Sequence, residues 1–157
     1  MKNVLFVCTG NTCRSPMAEA WLKVLCARDG LDWTVTSAGL SAYAGDEASV
    51  HAQSVIQAAG GDLSHHAARR FTAYLADEAD LIVAMTNAHL QRIRALVPEA
   101  APKSCLLMHF SKLHPETDVP DPFGGSADTY RHCFETMREA IENLQNSLTE
   151  NKQPTKG

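Results

Sequence analysis

Short runs of branched and aromatic apolar residues alternate along the chain with longer stretches in which apolar positions recur every three or four residues. Residues 3–8, Asn-Val-Leu-Phe-Val-Cys, make a compact apolar run that suits a strand buried on both faces. Ser15-Pro16 then signals a helix start, with serine as cap and proline at the first helical position. Met17, Trp21, Val24 and Leu25 continue at helical spacing, and Gly30 stops the helix. Residues 33–39 alternate like a second strand ending in glycine, and 48–59 predict a helix closed by Gly60-Gly61. A short helix is expected from near Thr72, and the run over 80–85, Asp-Leu-Ile-Val-Ala-Met, is the clearest central strand. Residues 87–97 predict a helix with Leu90, Ile93, Leu96 and Val97 on one side, ended by Pro98. Residues 104–110 predict a fourth strand, and a polar, proline-containing loop over 111–126 leads to a long helix over 127–148.

Strands alternating with helices imply an α/β fold, a parallel sheet covered on both faces. One domain is expected over 1–149, followed by a polar tail over 150–157. Ligands of such sheets sit beyond the carboxyl ends of the strands. The stretch Val-Cys-Thr-Gly-Asn-Thr-Cys-Arg-Ser-Pro, residues 7–16, lies at such an end.

Composition narrows what that end can bind. A formal charge of −4 argues against a general nucleic-acid binder, so an anionic substrate would need a local attraction. No segment approaches the roughly 18 apolar residues of a membrane span, and the apolar run near residue 1 is too short for a signal peptide. The chain reads as cytoplasmic, with no membrane or nucleic-acid partner. Its five cysteines, Cys8, Cys13, Cys26, Cys105 and Cys133, are odd in number and scattered, which is no disulfide framework. They show no zinc spacing either, and no metal or cofactor is expected.

The loop after the first strand has its own chemistry. A strand–loop–helix unit presents free N–H groups and the positive end of a helix dipole to an anion. Gly10 and Asn11 tolerate positive φ, so the loop can curl, and Arg14 adds a planar fork for two phosphate oxygens. Cys8 would lie at the floor of this cup, in surroundings that favour a thiolate placed for attack on phosphorus. A Gly-Lys-Ser/Thr element is absent, so this is not a nucleotide-binding phosphate loop. A leaving group needs a proton donor, and Asp121, stiffened by flanking prolines and followed by Gly124-Gly125, offers one.

These stretches resemble the low-molecular-weight protein-tyrosine phosphatase family. The resemblance rests on VLFVCTGNTCRSPMAEA at 4–20, SAG at 37–39, HAARR at 66–70, ADLIVAMT at 79–86 and DPFGGS at 121–126. It implies a four-stranded parallel sheet of order 2-1-3-4, with helices on both faces. By position it makes Cys8 the nucleophile, Arg14 the transition-state clamp and Asp121 the general acid, then base. Ser15 would hydrogen-bond the thiolate, and Thr9, Gly10, Asn11, Thr12 and Cys13 would line the phosphate site. Asn11, held by Ser37, Ser15 and His66, would keep the loop in shape. A phosphocysteine intermediate and a phosphorylated protein substrate are implied, and a monomer is expected.

The CTGNTCRS and DPFGGS motifs look like the protein-arginine-phosphatase branch. Tyrosine-specific members carry a bulky aliphatic residue where Thr12 stands, and tend to have two tyrosines where Phe123 and Gly124 follow. A guanidinium wants hydrogen-bond acceptors, which Thr12 and Asp121 could supply, whereas a phenol ring gains from apolar walls. Phosphoarginine is therefore the preferred substrate and phosphotyrosine the alternative. An arsenate reductase would need cysteines near the end of the third strand, where Met85 and Thr86 stand; a phosphate-binding module without turnover is the non-enzyme alternative. Cys13 could close a reversible disulfide with Cys8 or simply pack under the loop. Tyr43 could wall the cleft or be an exposed loop aromatic, and solvated charge is the plainer reading of Arg69 and Arg70.

Overall fold

In the computed structural model of the protein, residues 2–150 are described. Of the tail expected over 150–157, only Glu150 falls among them, as the last residue of the final helix. Branched residues fill β1, Asn3–Cys8, which pairs in parallel with β2, Thr34–Gly39, along one edge. Its other edge pairs with β3, Leu81–Ala84, which carries the short β4, Ser104–Leu106. The strand order is therefore 2-1-3-4, with β1 and β3 in the middle.

Alternation along β1 builds two cores. Val4, Phe6 and Cys8 face one layer with Met17, Trp21, Leu25, Phe134, Met137 and Ile141, whereas Leu5 and Val7 face the other with Leu40, Phe71, Ile82, Leu90 and Ile93. The first layer comes from α1, Arg14–Arg28; α2, Val50–Ala58; and α5, Ala127–Glu150. The second comes from α3, Ala73–Glu78, and α4, Asn87–Leu96.

Four details depart from the sequence-based expectations. Helix α1 begins at Arg14 with Cys13 in the cap position, so Ser15 is not the cap. Pro16 is the third helical residue, where its missing N–H removes only a donor that has no intrahelical partner. The run over 104–110 extends for just three residues before tightening into a 3-10 turn, Leu107–Phe110, because β4 is an edge strand paired on one side only. Leu96 is exposed, and α4 buries His89, Leu90 and Ile93 instead. Helix α5 runs on to Glu150, past the expected end at 148.

Candidate active site

The loop from Cys8 to Arg14 joins β1 to α1 in a tight curl. Asn11, at φ 57°, is the one non-glycine residue in the left-handed region among those described. Its side chain is fully buried and every hydrogen-bonding group on it is used. Asn11 Oδ1 accepts from the Arg69 backbone N–H at 3.0 Å, which sets the amide's orientation. Asn11 Nδ2 then donates to Ser15 Oγ and to Ser37 Oγ, each at 2.9 Å. These two hydroxyls must send their own protons elsewhere. Ser37 donates to Glu19 Oε1 at 2.9 Å. Ser15 lies 2.9 Å from Cys8 Sγ, so its proton points at the sulfur. The chain of donors thus ends on Cys8 and supports negative charge there.

Carbonyl groups along the loop are turned outward. Cys8 O accepts from Leu40 N, Thr9 O from Ser41 N and Thr12 O from Ser49 N, each at 2.9 Å. Asn11 O accepts from His66 Nε2 at 2.7 Å, which places that ring's proton on Nε2. In a planar trans peptide the next residue's N–H points opposite to the carbonyl. The amides of Thr9, Gly10, Thr12 and Cys13 therefore face inward, around the sulfur, as an anion-binding cup requires. Gly39 makes this close docking possible. A Cβ there would stand 2.6 Å from Thr9 O and 2.9 Å from Asn11 N.

Asp121 comes to the mouth of the cup. A cleft of about 410 Å³ is lined by Cys8, Thr9, Gly10, Thr12, Cys13 and Arg14, and on its outer side by Ser41, Tyr43, Asp46, Asp121 and Phe123. The Asp121 carboxylate is 58% exposed and accepts from Phe123 N at 3.1 Å. Its other oxygen stands 3.8 Å from Arg14 Nη2, while Arg14 Nη1 donates to Val119 O at 3.1 Å. The guanidinium is thus buried between the cup and the acid-bearing loop. Tyr43 and Phe123 stand out at the rim, both more than three-quarters exposed.

Three other thiols are wholly or partly buried. Burial, helped by the negative charge of Asp29, pushes Cys26 up to about 11, and burial also pushes Cys105 up to about 11 and Cys133 up to about 12. These three are neutral packing groups at physiological pH. Cys13 is a free thiol tucked against Tyr130 Oη at 3.2 Å and Ser49 Oγ at 3.6 Å.

Sequence reasoning missed three contributors. Glu19 takes the proton of Ser37, Arg69 braces Asn11 and gives its Nε–H to Ser37 O at 2.9 Å, and His89 meets Thr9 Oγ1 at 2.8 Å. Each lies on an element remote in sequence from its partner, so no local spacing could signal it.

A family model described as low molecular weight phosphotyrosine protein phosphatase matches residues 3–154. A relative from Bacillus subtilis named protein-arginine-phosphatase is 37% identical over 150 residues, covering 96% of this chain and 99% of its own. The low molecular weight protein-tyrosine-phosphatase Wzb of Salmonella typhi is 35% identical, over 92% of this chain and 93% of its own. Among solved structures, a mutant of the YwlE arginine phosphatase with a phosphorylated active-site serine superposes with a TM-score of 0.90. It is 36% identical, over 96% of this chain and 97% of that one.

Proposed function

The chain belongs to the low molecular weight phosphotyrosine protein phosphatase family and is a phosphoprotein phosphatase, and from that premise we propose that its substrate is phosphoarginine in proteins. In this reading the Cys8 thiolate attacks phosphorus in line while the amides and Arg14 hold the equatorial oxygens. The P–N bond breaks as Asp121 delivers a proton to the departing nitrogen. A phosphocysteine remains, and Asp121 then takes a proton from the water that hydrolyses it to inorganic phosphate. Ser15 steadies the sulfur as it departs in this second step. Ser37 and His66 keep the cup in shape through Asn11.

The observation that carries the choice of substrate is the pairing of Thr12 and Asp121 around one cleft. A hydroxyl and a carboxylate at the entrance offer acceptors to guanidinium N–H groups, whereas a phenol ring has no N–H to give them. The relative named protein-arginine-phosphatase and the YwlE structure support the same choice. The phosphorylated serine in that structure also supports a covalent phosphoenzyme. A second reading, phosphotyrosine, is favoured by Tyr43 and Phe123, whose exposed rings could sandwich a phenol. Cleft and proton donor are complete within one chain, which fits a working monomer. Five free cysteines fit a reducing compartment such as the cytoplasm.

The test compares turnover of matched phosphoarginine and phosphotyrosine peptides by the purified protein. Higher kcat/KM is expected on phosphoarginine, Cys8→Ser should abolish turnover, and Thr12→Ile should shift the ratio towards phosphotyrosine by roughly ten-fold, the scale of one polar contact. Preference for phosphotyrosine by the unaltered protein would overturn the substrate assignment and leave the phosphatase class standing.

A further inference from the structure

We propose that His89 is a positioning residue for this phosphatase, holding the nucleophile's side of the cup in register with the loop that carries the acid; the inference rests on the phosphatase reading above. The first turn of α4 is where the two meet. His89 is 7% exposed, and its Nε2 lies 2.8 Å from the hydroxyl of Thr9, the residue next to Cys8. Two residues earlier, the Asn87 backbone N–H donates to Asp118 Oδ1 at 2.9 Å, three positions before Asp121. Val119 N completes the anchor by donating to Met85 O at 3.0 Å, just ahead of the helix. A turn further on, Arg92 Nη1 donates to Ser41 Oγ, which lines the cleft, at 3.2 Å. One rigid helix start therefore touches the nucleophile loop, the acid loop and the outer wall.

The imidazole acts in this contact as a donor. Its Nδ1 is buried and has no partner. A proton there would be an orphaned N–H, a rarer and costlier arrangement than a bare lone pair. The single proton of the neutral ring therefore sits on Nε2 and is given to Thr9 Oγ1. Neutrality follows from burial first and then from the positive charges of Arg14 and Arg92, against the opposing pull of Asp118 and Asp121; together they lower the ring to about 4. The ring's direction is fixed in turn by the helix, whose Thr86 cap accepts from the His89 backbone N–H at 3.1 Å.

A register device of this kind has a particular kinetic signature. If Thr9 and Asp121 drift apart, attack by sulfur survives but proton delivery suffers. Loss should therefore grow with the leaving group's need for a proton. Phenyl phosphate needs one and p-nitrophenyl phosphate does not, because nitrophenolate departs as a stable anion. His89→Leu should lower kcat/KM, which reports the steps up to the phosphocysteine and not its later hydrolysis, roughly ten-fold on phenyl phosphate and less than about two-fold on p-nitrophenyl phosphate, and Thr9→Val should lower kcat/KM on phenyl phosphate to the same extent. The double variant should be no worse than either single one, because both remove the same contact. His89→Gln, which keeps an N–H donor, should recover most of the loss. Thr9 is exposed, so its variant reports on the contact without disturbing the core.

Equal losses on the two esters, or additive losses in the double variant, would overturn the positioning role while leaving the phosphatase reading intact. An unaltered protein inert on both esters would overturn both together.

Discussion

Asn11 concentrates the residue-scale logic of the site. It occupies a backbone region that costs most side chains about 1–2 kcal/mol, and its amide is the hub through which Ser15, Ser37 and Arg69 are ordered. Asn11→Ala would keep the strained backbone and leave the buried Ser15 and Ser37 hydroxyls and the half-buried Arg69 N–H without their partner. Destabilisation of about 2–4 kcal/mol is expected in urea denaturation, together with at least a roughly ten-fold fall in kcat as the Ser15 proton loses its direction. The sequence made Asn11, Ser15, Ser37 and His66 visible, because Gly-Asn, the following serine and the motif around Ser37 and His66 have recognisable local types, but it read Arg69 as solvated charge. It hid Glu19, which looks like any exposed helical acid and forms an ion pair with Lys23 at 3.0 Å while its other oxygen serves Ser37. His89 was hidden for the same reason: one histidine in an amphipathic helix carries no sign of what its strand neighbours will bring to it.

At the scale of elements, the cup exists because β2 docks tightly against the loop after β1. The ladder ends with Cys8 opposite Gly39, and Leu40 and Ser41 continue it by capturing the loop's carbonyls. Gly39→Ala would force a methyl group onto backbone atoms that cannot give way. Destabilisation of about 1–3 kcal/mol is expected by thermal denaturation, with a larger proportional loss in kcat/KM than in stability, because the displaced atoms belong to the loop whose other amides line the anion site. Among the described residues, hydrophobic patterning located the four strands and the four longer α-helices, whereas α3, which buries only Ala76, was expected just as a short helix from near Thr72. It failed at the edges of elements. β4 is shorter than its apolar run, because the residues after Leu106 turn into the core without extending the sheet. The start of α1 shifted because Ser15 is recruited by Cys8 and Asn11, a tertiary demand that outcompetes capping.

For the whole molecule, His89 couples the site to stability. Its folded-state value, about 4, lies below the ordinary 6.5, so the unfolded chain binds more protons between those values. The stabilisation is fully present above about pH 6.5 and is lost as pH falls through about 4. Urea denaturation from pH 7 down to about 4 should show stability falling through this window, and His89→Gln should flatten the slope; an unchanged slope would mean other groups set it. The placement of β1 has a different consequence. It is flanked on both edges, by β2 and by β3, so its backbone is released only when the sheet as a whole comes apart. The Cys8 sulfur, the nucleophile proposed above, is rooted in this doubly paired strand. Adjustment to different phosphoproteins is left to the rim, where Tyr43 and Phe123 stand free, and the floor meets every substrate already set.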